Sequence, residues 1–460
     1  MRPRSSSHIA ITGCLTVLAV IAAACGGDSG GGGGGGGGTG GIRPTRTPTA
    51  TATASASPSA TPTASPTPIT GACLPASSLS VLVQGSNVSS YVPKGSWKFG
   101  TTGVSVIQIE GSGTTPTLIP TGNIVNSCAS DSVTGQTVCT ANNTDVYLLS
   151  GSKLTQTLTS NGLGTLSFSG GLCTNCGVTF NPATDQALIA IAVSSGVGGY
   201  QFLDLSGAKP TFEAPFATES VLGTISEEIM IDPTRNLILS ASEINDYELV
   251  KMTPGTPPSY EFFENQVSTQ GDELDASAED CTTGIALATD ESTGNLYLAD
   301  LSRATFTPGS PGTWSAPSQL QNFPEFTGLF TGTCGIAVAP PSHLGVVTGE
   351  FGGSLIGAIQ LPSSTSGSAP AVTDWIACNL PNEPNGNSFQ TGYDPHTVTA
   401  YVSPNTGDSM ALIADEGPSY VAVVDLTRML DPKTVSRTGT GHSCSGGTLP
   451  GAVATYVPVP

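Results

Sequence analysis

Short runs in which apolar and polar residues alternate recur along the chain after residue 177, each broken by a turn built on Pro, Asp, Asn or Gly. Alternation at a period of two marks half-buried β-strands. Five segments share the scheme, at 177–192, 228–240, 284–300, 335–348 and 397–415. In each, an alternating run gives a first strand, a Pro or Thr-Gly group gives a hairpin turn, and a second apolar run gives the partner strand. A third strand follows in most units, at 200–205, 247–252, 355–361 and 420–426. Val178, Ile229, Ile285, Ile336 and Val398 are taken as equivalent starts, and they are spaced by 51, 56, 51 and 62 residues. That period suits four short strands with their loops. Two weaker units precede these, at about 78–120 and 122–160. Seven such units predict an all-β chain folded as a seven-bladed β-propeller, with 453–457 as a candidate closing strand.

The last unit carries a family resemblance. Asp394-Pro395-His396 opens an alternating run through Tyr401, and the runs at 411–415 and 421–426 follow it. This order resembles the repeat of the YVTN and NHL class of bacterial propellers. The resemblance covers most of 78–460 and is sharpest in the last five units. It implies a propeller that acts as a binding or scaffold module, because only some relatives are enzymes, and fold alone does not fix function.

A different apolar pattern stands at the N-terminus. Residues 9–24 form an apolar run behind Arg2 and Arg4 that ends on Ala22, Ala23, Ala24 and then Cys25. The run is too short for a bilayer span and has the layout of an export signal. It resembles a bacterial lipoprotein signal, which implies cleavage after residue 24 and acylation of Cys25. Ala22 stands where that family usually has Leu, with Ile21 one place further back. Ordinary signal cleavage near Ala24 is the alternative, and either route takes the chain out of the cytoplasm. The expected address is extracytoplasmic, with the lipid in a bacterial outer membrane or at the cell surface.

Residues 26–41 are nearly all Gly, and 43–68 are Thr, Pro, Ala and Ser with two Arg. Neither tract has apolar residues to bury, so nothing offsets an ordering cost of roughly 1–2 kcal/mol per residue. The domain plan is therefore a signal at 1–24, a lipidated and disordered tether at 25–70, and a folded body at 71–460. Fully extended, such a tether reaches on the order of 140 Å.

Four of the 14 Lys and Arg and one of the 34 Asp and Glu precede residue 71, so the body carries 10 basic against 33 acidic residues. That balance repels phosphate backbones and anionic headgroups, which excludes nucleic acid as a partner and membrane docking by charge. The expected partners are the membrane, through the lipid, and a protein, glycan or small-molecule ligand.

Nine cysteines follow Cys25. Cys128 and Cys139 flank a turn almost symmetrically and should pair across one hairpin. Cys281 and Cys334 precede what read as the first strands of neighbouring units, which predicts a second bridge near the central axis. Cys173 and Cys176 form a CxxC with no following His and no second CxxC, so a local disulfide is expected rather than haem or zinc. Pairing Cys378 with Cys444 leaves Cys73 over.

Candidate chemistry is sparse. After the signal the chain has three His, at 343, 396 and 442. His396, Glu227 and Glu228 precede first strands and are the candidate ligand-binding residues at the channel mouth. Asp272, Glu273 and Asp275, with Glu279 and Asp280 beyond, offer hard oxygen ligands for Ca²⁺, although no EF-hand spacing is present. No Gly-x-Ser-x-Gly elbow, HExxH or phosphate loop occurs, and no catalytic residue is assigned. Two functions follow: a lipid-anchored binding or scaffold propeller, or a calcium-dependent lactonase or esterase with His396 as its base.

Overall fold

A computed structural model describes residues 80–84, 103–108 and 117–458, apart from 124, 132–133, 152, 169–170, 182–183, 218–228, 243–245, 254–258, 266–273, 291–292, 327–331, 350–352, 390–397, 404, 415–419 and 440. The expected signal, Cys25 and the tether lie outside these residues. The described chain is an all-β propeller. Six sheets of at least four strands form its blades, and every sheet is laid down from its innermost strand outward.

Blade 1 comprises Val125–Ser130, Gln136–Ala141, Asp145–Ser150 and Lys153–Thr159. Blade 2 comprises Asn175–Asn181, Gln186–Ser194 and Val197–Asp204, with Thr211–Phe212 and Phe216–Ala217 both pairing its third strand. Blade 3 runs Ile229–Asp232, Leu237–Ser242, Asp246–Thr253 and Ser259–Glu264, and blade 4 runs Leu274–Asp280, Ile285–Asp290, Asn295–Asp300 and Ser318–Asn322. Blade 5 has Thr333–Ala339, Leu344–Gly349, Leu355–Gln360 and Asp374–Asn379, and blade 6 has Val398–Val402, Ser409–Ala414, Tyr420–Asp425 and Ala454–Pro458.

The blade count is six, not seven. The first expected unit forms a sheet of three strands, Ser80–Gln84, Gly103–Gln108 and Thr117–Pro120. Only residues 121–124 separate its third strand from blade 1, which leaves no chain for a fourth strand at that point. The segment at 453–457 does not bridge to the first sheet. It is the outer strand of blade 6 and pairs antiparallel with Tyr420–Asp425.

One unit departs from the register its sequence predicts. Ile285–Asp290 is the second strand of blade 4, not the first, and its inner partner is Leu274–Asp280. That inner strand places Asp275, Ser277 and Glu279 at alternate positions, so its sequence lacks the apolar signature of the other inner strands. The shift explains a second correction. Cys334 sits near the beginning of an inner strand, whereas Cys281 follows the end of one, so the two stand at opposite ends of their blades. The expected Cys281–Cys334 bridge is not formed. Cys334 is a buried thiol, and Cys281 is disulfide-bonded to another cysteine.

The core lies between blades. Middle strands such as Gln186–Ser194 are buried on both faces and read as continuous apolar runs, because each blade packs against a neighbour on either side. Leu188, Ala190, Tyr200 and Phe202 of blade 2 pack on Ile229, Ile231, Ile238 and Val250 of blade 3. Leu344, Val346, Ile356 and Ile376 of blade 5 meet Ala411, Ile413, Ala422 and Val424 of blade 6 in the same way.

Two blades are widened by a hairpin borrowed from the next. The connection between the third and fourth strands of blade 4 forms Thr305–Thr307 and Gly312–Ser315, and the latter pairs parallel with the outer strand of blade 3. Gly312 lies where a Cβ would fall 2.6 Å from the Phe263 ring, so this approach needs glycine. The corresponding connection in blade 6 forms Arg437–Thr438 and Ser443–Thr448, and the latter pairs parallel with the outer strand of blade 5. There Cys378 and Cys444 form a disulfide, Arg437 grips Asp374 at 2.7 and 2.8 Å, and His442 stacks on Trp375 at 4.2 Å. Cys128 and Cys139, directly opposite each other in blade 1, form the other described disulfide.

Candidate functional site

Each blade presents two ends. The start face holds the beginnings of the inner strands, and the end face holds the turns that join inner to second strands. In the described residues, titratable side chains converge on the end face.

The convergence begins with turn chemistry. In blade 3, Asp232 ends the inner strand, and its Oδ1 accepts from Thr234 N, Thr234 Oγ1 and Arg235 N at 2.9, 2.6 and 3.1 Å. In blade 4, Asp280 Oδ1 accepts from Thr282 N and Oγ1 at 3.2 and 2.6 Å. Asp131 of blade 1 accepts from Thr134 N at 3.2 Å in the same manner. These are Asx turns, in which a short carboxylate satisfies amides that a tight hairpin leaves unpaired. The ends of third strands repeat the device, with Asp204 accepting from Ser206 N at 2.9 Å and Asp300 from Ser302 N at 3.1 Å.

The second carboxylate oxygen reaches sideways. Asp232 Oδ2 accepts from Arg235 Nη1 at 2.8 Å, and the same nitrogen stands 3.4 Å from Glu279 Oε1 of blade 4. Asp280 Oδ2 lies 2.6 Å from His343 Nδ1 of blade 5. His343 holds a left-handed conformation, φ 57°, which brings its ring back over blade 4. Blades 3, 4 and 5 are thus tied in series by Arg235 and His343.

Electrostatics follow from burial. Glu279 is 3% exposed, and burial, reinforced by the Asp232 charge, holds its carboxyl well above the usual carboxylate range. Its Oε2 is buried without a hydrogen bond. Asp185 is raised by burial and then by the Asp131 and Asp204 charges. The chemistry of this face is cohesive: Asp232, Asp280 and Asp300 spend lone pairs on their own turns, Arg235 and Arg303 lie against carboxylates, and His343 is hydrogen-bonded to Asp280. Among the described residues, no group of three or more His, Cys, Asp or Glu is placed to hold a metal ion. No helix among them is long and apolar enough to cross a membrane.

The candidates drawn from the sequence share only Glu279 and Asp280 with this cluster. Glu227, Glu228, Asp272, Glu273 and His396 precede, in sequence, the inner strands that begin at Ile229, Leu274 and Val398, and they lie outside the described residues. Asp275 lies within the inner strand of blade 4, and its side chain lies outside the described ones. Cys176 is disulfide-bonded, while the side chain of Cys173 is outside the described set.

Of the end-face cluster, the sequence points to Glu279 and Asp280 as oxygen ligands and misses Asp232, Arg235 and His343. A signal for such polar ends existed. Asp-Leu followed by Ser or Thr occurs at 204–206, 300–302 and 425–427, and Asp two residues before Thr occurs at 232–234 and 280–282. Read as strands alone, these repeats hid their role as turn-forming ends.

No protein-family model matches the chain, and no curated protein matches it. Among solved structures, a functionally unknown protein from Desulfotomaculum acetoxidans DSM 771 is similar with a TM-score of 0.47 at 13% identity, over 71% of this chain and 89% of that one. The structure of U3-55K is similar with a TM-score of 0.44 at 11% identity, over 68% of this chain and 82% of that one.

Proposed function

We propose that the chain is an exported, lipid-anchored propeller of the YVTN and NHL kind that serves as a binding or scaffold module for a protein, glycan or small ligand. One observation carries the extracytoplasmic part. Cys128–Cys139 and Cys378–Cys444 are disulfides, each between neighbouring strands of one sheet, and such bonds persist in oxidising compartments. They agree with the export run that ends on Cys25. The binding role is supported by the end face, where the acidic and basic groups are committed to turns and to neighbouring blades.

Metabolic labelling with a palmitate analogue tests the anchor. The wild-type chain should carry label and fractionate with membranes, and Cys25→Ala should lose both properties. Label retained in Cys25→Ala would overturn the assignment. The purified protein should also show no lactone or ester hydrolysis above background, and chelator-sensitive turnover would favour a calcium-dependent hydrolase instead.

A further inference from the structure

Three outer strands are covered by the blade that follows each. Gly312–Ser315, from the connection between the third and fourth strands of blade 4, pairs with the outer strand of blade 3. The same connection in blade 5 lies over the outer strand of blade 4, where Gln319 Nε2 donates to Pro370 O at 2.8 Å and Val372 N donates to Gln321 Oε1 at 2.9 Å. In blade 6 it supplies Ser443–Thr448, which pairs with the outer strand of blade 5. The outer strand of blade 6 is held from the chain between blades 5 and 6, with Tyr456 donating to Pro381 O and lying 5.5 Å from the Phe389 ring.

Blade 1 lacks such a cover. The connection that would supply it, in blade 2, is only residues 205–210, and the strands after it turn back to pair with the third strand of blade 2 itself. Six of the seven residues of the outer strand Lys153–Thr159 are exposed, whereas the four central residues of Asp374–Asn379, under its cover, are buried. Among the described residues, no strand pairs with the open side of Lys153–Thr159.

The edge is also undefended. Soluble proteins protect a free edge with charge, proline or a bulge, because its unpaired amides and carbonyls template another strand. Lys153 is the one charged residue of this strand, and the bulge falls at Thr155, between the pairs Leu149–Leu154 and Leu148–Gln156. Gln156, Thr157, Leu158 and Thr159 continue beyond it in regular register, with no charge and no proline. A cover uses this same half: in blade 3 the last two residues of the outer strand, Phe263 and Glu264, pair with Gly312 and Thr313.

We infer that the outer strand of blade 1 is a docking edge that takes an extended segment of a partner protein as a fifth strand. The chemistry of the occupant follows from the two strands that fill the matching edges. Gly312–Ser315 and Ser443–Thr448 carry no charge, consist mostly of Gly, Ser and Thr, and each buries one other side chain, Trp314 and Cys444, at 3% exposure. The segment is therefore uncharged and rich in Gly, Ser and Thr, with one apolar side chain. Leu154, 36% exposed, and the half-buried Leu158 offer that side chain an apolar surface. Main-chain hydrogen bonds to the edge supply affinity, and the apolar contact fixes register. This narrows the binding-module reading above to a protein partner and rests on that reading, but not on the lipid.

Hydrogen exchange of the exported full-length protein, read by mass spectrometry, tests the edge. The probe is the end-blocked peptide Ser-Gly-Thr-Trp-Ser-Gly-Thr, titrated into the millimolar range. Amides of 153–159 should exchange more slowly as the peptide saturates, by about tenfold at ten times its half-saturating concentration. Those of the covered strand 374–379 should not change. A strand donates to one neighbour from alternate residues only. Of two forms of the peptide, N-methylated at odd or at even positions with side chains unchanged, one should lose binding and the other keep it. No protection of 153–159, protection confined to other strands, or equal binding by both methylated forms would overturn the inference. Protection of 153–159 that rises with protein concentration in the absence of peptide also overturns it, by assigning the edge to a second copy. Failure of the binding-module reading is seen separately, as chelator-sensitive ester or lactone hydrolysis by the same preparation.

Discussion

Removing the Cys378–Cys444 bridge should destabilise the propeller more than removing Cys128–Cys139. The two bonds close loops of very different length, with sequence separations of 66 and 11 residues. On the chain-entropy scale, confining the unfolded chain is worth about 4.4 kcal/mol for the longer loop and about 2.8 kcal/mol for the shorter at 25 °C. The difference, about 1.6 kcal/mol, depends only on the ratio of loop lengths. Native contacts should change little, because the blade 6 hairpin is also held by the Arg437–Asp374 pair and the His442–Trp375 stack. Paired Cys→Ala variants keep buried sites free of new polar groups, and Cys378 and Cys444 are 1% and 3% exposed. Urea unfolding, followed by tryptophan fluorescence and far-ultraviolet circular dichroism, reads the difference as a larger midpoint shift at unchanged slope. Trp375 lies at the joint itself. Equal costs for the two pairs, or a larger cost for Cys128–Cys139, would refute the argument from loop closure.

Glu279→Gln should flatten the pH dependence of stability. Burial and Asp232 raise the folded pKa of Glu279, so its contribution is fully present below the unfolded carboxyl value of about 4.3 and declines as pH climbs toward the folded value. Wild type should therefore lose stability relative to the variant between about pH 4 and neutrality, and a pH-independent gap in urea midpoints would contradict this. Gly284→Ala and Gly407→Ala separate backbone strain from crowding. Both glycines have positive φ, 79° and 78°, but only at 284 would a Cβ fall 2.3 Å from Arg235 Nη2. Each variant should lose about 1 kcal/mol to strain, and Gly284→Ala should lose more because it also displaces the guanidinium from Asp232 and Glu279. Thermal melts giving equal losses would remove the crowding term.

Much of the fold was legible because inner and middle strands of a propeller must bury apolar side chains at a fixed period. Val178, Ile229, Ile336 and Val398 all lie in inner strands, as their alternation implied. Ile285 does not, because the inner strand of its blade trades apolar residues for Asp275, Ser277 and Glu279. Ser277 and Glu279 serve neighbouring blade 3, Ser277 Oγ accepting from Ala241 N at 2.8 Å and Glu279 facing Arg235. A strand that binds its neighbour through polar groups loses the hydrophobic pattern by which it would be found. The borrowed hairpins were hidden for another reason. Parallel pairing of Gly312–Ser315 or Ser443–Thr448 with a preceding blade depends on a connection folding back, and no local pattern encodes that.

These polar ties explain why the ring holds together with few charges. In the described chain, Tyr200 joins blade 2 to Glu248 of blade 3, Arg235 joins blade 3 to blade 4, and His343 joins blade 4 to blade 5. Blade 6 then returns a hairpin to blade 5 and locks it with Cys378–Cys444. Each link spans one interface, so the ring behaves as a series of nearest-neighbour couplings, as in other repeat architectures. A carboxylate such as Asp280 acts on two blades at once, closing its own turn with Oδ1 and holding His343 with Oδ2. Replacing it therefore opens a turn and an interface together, whereas replacing His343 opens only the interface. Asp280→Asn keeps an acceptor for the turn and should approach the His343→Ala loss, while Asp280→Ala should exceed both.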